Sequence, residues 1–114
     1  MEFLADSTTS DVLVESVRAL GYNVTVSDAE PVAILESSGA DGAYLLTTTF
    51  DYIDYLDDAT AQPPGIVCFK DDPDHPMNPI EVFGAFLSEN PEGLDAAYTL
   101  VTPETLKQRS LSDR

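Results

Sequence analysis

Basic side chains are scarce in this chain: five Lys and Arg stand against 21 Asp and Glu in 114 residues, a formal net charge of -16. The acids are spread along the whole length rather than gathered in a tail, and lysine is nearly absent. That distribution points to adaptation to molar salt, where the Debye length shrinks to ~3 Å and most self-repulsion disappears. An acidic partner-facing surface, such as a nucleic-acid mimic, is the competing explanation. Binding by counterion release weakens steeply as salt rises, so a halophilic nuclease cannot depend on a broad basic face. The net charge therefore leaves an RNA substrate neither supported nor excluded.

Cysteine is nearly as rare. Cys68 stands alone in the apolar run Gly65-Ile66-Val67-Cys68-Phe69, which excludes an internal disulfide and leaves no second thiol for a zinc site. It reads as a small buried hydrophobe. No run reaches the ~20 apolar residues that cross a bilayer. The start, MEFLADSTTS, lacks a basic region followed by an apolar stretch, so the expectation is a cytoplasmic protein without a membrane partner. Gly39 and Gly42 lack the spacing of a phosphate-binding loop, and Ser7 to Ser10 have no nucleophile elbow or placed histidine beside them. The lone His75 sits in a Pro-Asp-His-Pro turn.

What is present alternates regularly. Glu2 to Asp6 reads as a buried strand. Ser7 to Asp11 offers N-cap candidates before a helix over Asp11 to Leu20, with apolar residues at Val12, Leu13, Val17 and Leu20 and closure at Gly21. Asn23 to Ser27 is a second strand; a helix starts at Asp28-Ala29-Glu30-Pro31 and runs to about Ser38, before a loop holding Gly39 and Gly42. Ala43 to Thr48 is continuous enough for a central parallel strand. Asp51 to Asp58 is a short helix, Ile66 to Lys70 a fourth strand, Ile80 to Ser88 a helix and Ala97 to Val101 a last strand, with a polar tail from Thr102. This order predicts one α/β domain over 1–114: a mostly parallel sheet of about five strands, helices on both faces.

Sites in such sheets collect outside the carboxyl ends of the strands. Asp6, Asp28, Asp51 and Asp71-Asp72 fall there, and carboxylates converging from adjacent strands suit a hard divalent cation that activates water for phosphodiester cleavage. In so acidic a chain other roles compete. Asp6 can be a helix cap or loop partner, and Asp28 a cap for the helix that follows. Asp54, Asp57 and Asp58 read as a solvated helix face, and Asp71, Asp72 and Asp74 as a hydrated turn. An acidic receiver-type signalling domain also places aspartates at strand ends. It needs a lysine beside the pocket, for which Lys70 is the only candidate. Lys107, Arg109 and Arg114 cluster late, where they touch RNA or keep the tail solvated.

Phe3-Leu4-Ala5-Asp6, then Leu13 with Val17-Arg18-Ala19-Leu20-Gly21-Tyr22-Asn23-Val24, resemble the opening of the short PIN-like proteins, which are related to toxin ribonucleases. Leu45-Leu46-Thr47-Thr48-Thr49-Phe50-Asp51-Tyr52 resembles their Leu-Leu-Thr-x-Asp-x-Asp-Phe motif, and Gly65-Ile66-Val67 the strand that follows. The resemblance implies a PIN-like three-layer sandwich with metal-dependent ribonuclease ancestry, often in toxin–antitoxin pairs. Asp54, one helical turn beyond Asp51, is a further ligand candidate by spacing; the resemblance itself places Asp6 and Asp51 as catalytic and metal-ligand positions for Mg2+ or Mn2+ and matches Asp28 to an acid before the second helix. RNA, an antitoxin-like protein and a second copy in a homodimer are the partners it suggests. Ser7 and Thr8 replace the family's glutamate and asparagine, and Thr49 replaces its first late aspartate. Neutral hydroxyls cannot supply the charge that holds magnesium, so two readings stand: a weakened endoribonuclease, or a non-catalytic domain binding a partner protein or RNA.

Overall fold

A computed structural model of the protein describes residues 1–48, 51–70 and 79–111, with Asp51 described by its backbone alone. Its elements are β1 (Glu2–Asp6), α1 (Asp11–Ala19), β2 (Asn23–Ser27), α2 (Pro31–Asp41), β3 (Tyr44–Thr47), a 3-10 helix η1 (Asp51–Asp58), β4 (Ile66–Phe69), α3 (Pro79–Glu89), β5 (Ala97–Val101) and β6 (Leu106–Ser110).

Local chemistry accounts for most boundaries. The Ser10 side chain accepts the Leu13 N–H at the start of α1, and Asp11 adds a favourable charge in the first turn. Gly21, at φ 100°, reverses the chain just past the C-cap Leu20. Pro31 opens α2, and the Gly42 N–H returns to the Ser38 carbonyl in the left-handed region. The sequence placed the end of α2 at Ser38 with Gly39 in a loop; the helix continues to Asp41. Gly39 is there for contact: a Cβ at that position would stand 2.7 Å from the Gln62 carbonyl oxygen.

The sheet runs β2-β1-β3-β4-β5-β6, parallel through β5 and antiparallel at β6. It has six strands rather than five. The segment after Thr102 expected as a polar tail turns back, with the Thr102 N–H bonding the Thr105 carbonyl, and pairs from Val101↔Leu106 to Ala97↔Ser110. An edge strand with the sequence LKQRS carries no apolar alternation, so only its backbone pairing reveals it.

Alternate strand residues feed two cores. Phe3, Ala5, Leu46, Val67, Phe69 and Val101 meet Val14 and Val17 of α1 and Phe83 and Leu87 of α3. On the other face Leu4, Leu45, Ile66, Cys68 and Tyr98 meet Ile34 and Leu35 of α2 and Tyr52 and Leu56 of η1. The architecture is thus α/β with three layers. The steps β3 to β4 and β4 to β5 advance the same way across the sheet, yet η1 and α3 lie on opposite faces. The second crossover therefore has the opposite hand, against the usual preference. Among the described residues, no helix then covers β5 and β6 on the η1 face.

Candidate functional site

The chain leaves β1 for β2 on one side and comes back to β3 on the other. The order 2-1-3-4-5 has its switch point between β1 and β3, where the two loops part and open a crevice beyond the strand ends. Register sets the side chains there: Asp6 is level with Ser27, Ala5 with Leu46, and Thr47 with Cys68. Asp6 and Thr47 are thus neighbours at the mouth of the crevice.

Asp6 is 3% exposed. Its Oδ1 accepts the Thr8 N–H at 3.2 Å, the Thr8 hydroxyl at 2.7 Å and the Thr9 hydroxyl at 3.0 Å. Its Oδ2 accepts the Thr47 hydroxyl at 2.6 Å, and Tyr52 contributes a further hydrogen bond to the carboxylate. Burial pushes the Asp6 carboxyl up, but the bonds from Thr47, Thr8, Tyr52 and Thr9 outweigh it and hold the group below its ordinary value of 3.8. It is an ionised carboxylate solvated by protein hydroxyls.

The pocket above it has a volume of about 260 Å3 and is lined by Asp6, Ser7, Thr8, Ala29, Pro31, Tyr52 and Tyr55. A 3-10 helix repeats every three residues, so Tyr52 and Tyr55 stack in one column of η1 and face the pocket together. Thr8 and Thr48 hydroxyls approach to 3.4 Å across the rim.

Of the four acids named from the sequence, Asp28 and Asp54 stand apart from Asp6. Asp6 forms the pocket floor. Asp28 is exposed on the β2–α2 loop and does not line the pocket, although Ala29 and Pro31 do; nor does it cap α2, whose N-cap residue is Glu30. Asp54 is exposed in another column of η1 and lines a different groove, with Tyr98 and Leu100. The backbone of Asp51 opens η1 beside Tyr52; its side chain lies outside the described residues, as do Thr49, Asp71, Asp72, Asp74 and His75. Thr9, Thr47, Tyr52 and Tyr55 are site residues the sequence did not disclose. Thr47 alone left a trace, sharing the parity of Leu45 at the end of β3.

A divalent cation of the magnesium class needs one or two carboxylates with free lone pairs. A carboxylate offers about four acceptor positions, and the donors on Asp6 already fill them. Asp28 and Asp54 stand away from this pocket, and the side chain of Asp51, the other candidate ligand, lies outside the described residues. Cys68 matches its expected role: it is buried, burial pushes its thiol up, and Tyr98 is its hydrogen-bonding neighbour. Among the described residues no helix is long and apolar enough to cross a membrane. Protein-family models, curated proteins and solved structures give no match to this chain.

Proposed function

We propose that this is a non-catalytic PIN-like domain that binds a basic segment of a partner protein in the Asp6 pocket. The observation that carries the reading is the hydroxyl cage. A carboxylate whose lone pairs are occupied is a poor metal ligand, yet it remains a fixed negative charge. Without a metal, that charge repels a phosphodiester and attracts a guanidinium or ammonium. Tyr52 and Tyr55 supply aromatic surface for the same cation, and the surrounding net charge of -16 favours it further. The ribonuclease reading needs at least one more carboxylate at the floor, and its candidate, Asp51, has a side chain outside the described residues. An antitoxin-like protein is one partner of the required chemistry.

Two calorimetric titrations test this. Mg2+ or Mn2+ should show no binding that depends on Asp6, and an arginine-containing model peptide in molar salt should bind and lose affinity in Tyr55→Ala and Asp6→Asn. Metal binding at micromolar to low-millimolar concentration that disappears in Asp6→Asn would return the enzyme reading.

A further inference from the structure

The face of β5 and β6 that no described helix covers forms a groove of about 450 Å3, within the size range of small-molecule sites. Its floor is Tyr98 and Leu100, and Ile53 and Asp54 of η1 form one wall. The opposite wall carries Lys107 and Arg109, level with Leu100 and Tyr98 respectively in the antiparallel register. Two of the chain's five cations therefore share one groove in a protein otherwise dominated by acids. Both are exposed, and neither forms an ion pair among the described residues, although Asp54 faces the same space. The Arg109 guanidinium lies 5.8 Å from the centre of the Tyr98 ring, which supports its position over the floor.

From this arrangement we infer that the groove binds a small organic anion with a flat apolar body. The carboxylate or phosphate end lies between Lys107 and Arg109, and the body rests on Tyr98, Leu100 and Ile53. Charge complementarity is local: the net charge of -16 repels anions at long range, so contact with these two cations and apolar burial must supply the affinity. Asp54 fixes the orientation. It repels a second anionic group on the η1 side, so monoanions are preferred over dianions of the same shape. An extended phosphodiester would run from two cations onto an acidic surface, which disfavours nucleic acid as the occupant. The inference is independent of the Asp6 pocket, because Tyr52 and Tyr55 line that pocket while Ile53 and Asp54 line this groove.

The test follows amide chemical shifts of the whole chain at constant salt during titration with 2-naphthoate, the neutral 2-naphthalenemethanol, inorganic phosphate and 2,6-naphthalenedicarboxylate. Naphthoate should move Tyr98, Leu100, Lys107 and Arg109, and bind about tenfold or more tighter than the alcohol or phosphate alone. The K107Q/R109Q variant should lose about tenfold or more in affinity with the rest of the shift map unchanged. Lys107→Gln alone should weaken binding in the same direction without touching the Tyr98–Arg109 contact. Asp54→Asn should remove the preference against the dicarboxylate. Equal binding of the neutral alcohol, or affinity unchanged in both cation variants, would overturn the assignment. So would a single-stranded oligonucleotide that moves the same amides at lower concentration than naphthoate.

Discussion

Thr47→Val isolates the hydroxyl cage. Thr47 is fully buried, and its hydroxyl donates to Asp6 Oδ2 at 2.6 Å. Valine fills almost the same volume, so the change removes a donor without opening a cavity. A hydrogen bond to a charged group contributes about 1.5–3 kcal/mol, against a total of roughly 5–15 kcal/mol for a domain. With a urea dependence of about 1–3 kcal/mol per molar, the unfolding midpoint should fall by roughly 1 M. The pH dependence makes the prediction specific. A carboxyl held below 3.8 in the folded state contributes stability that is present above that value and lost as pH falls through the folded one. Removing the Thr47 bond raises the folded value, so the difference between variant and wild type should be largest near pH 7. It should shrink as pH is lowered toward 3. Comparing the two proteins at each pH and at constant salt cancels the change in overall repulsion as other acids protonate. Carbon NMR of the Asp6 carboxyl should show the titration moving up in Thr47→Val and staying low in Thr47→Ser. An unchanged midpoint with an unchanged Asp6 titration would refute the view that hydroxyls hold this charge.

Other outcomes follow from the same structure. Asp6→Ala leaves several buried or half-buried donors without their acceptor and should cost about 3–5 kcal/mol, read by urea unfolding at pH 7; a loss below 1 kcal/mol would show that the hydroxyls re-pair freely. Burial and the neighbouring Asp95 carboxylate push the Tyr44 phenol up to about 12. Ultraviolet titration should show Asp95→Asn ionising at lower pH. The raised phenol value gives stability that is full below the ordinary value of 10.0 and lost as pH rises toward 12. Gly65→Ala places a Cβ against the Leu94 carbonyl and 2.9 Å from the Tyr44 ring, so it should destabilise by about 1–3 kcal/mol or more, measured by thermal unfolding.

How legible each part was depended on how local its causes are. β1, β2 and β5 were read with their observed limits because short apolar or β-branched runs between turn residues are self-contained signals. β6 was not legible: solvent bathes much of it, and its pairing with β5 is a backbone property. Asp6 was found by position, at the carboxyl end of the first strand. Its chemistry was hidden, because the donors that saturate it come from the loop after β1, the end of β3 and the start of η1. Asp54 is a ligand candidate by its spacing, one helical turn beyond Asp51; the column of η1 it occupies turns it toward β5 and β6.

The order of residues set the alternation of strands and helices, the acidic character and the aspartate at the switch point, because these arise from near-neighbour patterning and from counting charges. Tertiary structure decided which partners that aspartate meets, and on which sheet face each helix lies. Thr47 is 41 residues from Asp6, and the two hydroxyl-bonded atoms share a crevice only once β1 and β3 are paired. The groove bearing Lys107 and Arg109 exists because α3 packs on the opposite face from η1, a choice made by the assembled sheet and by no local segment.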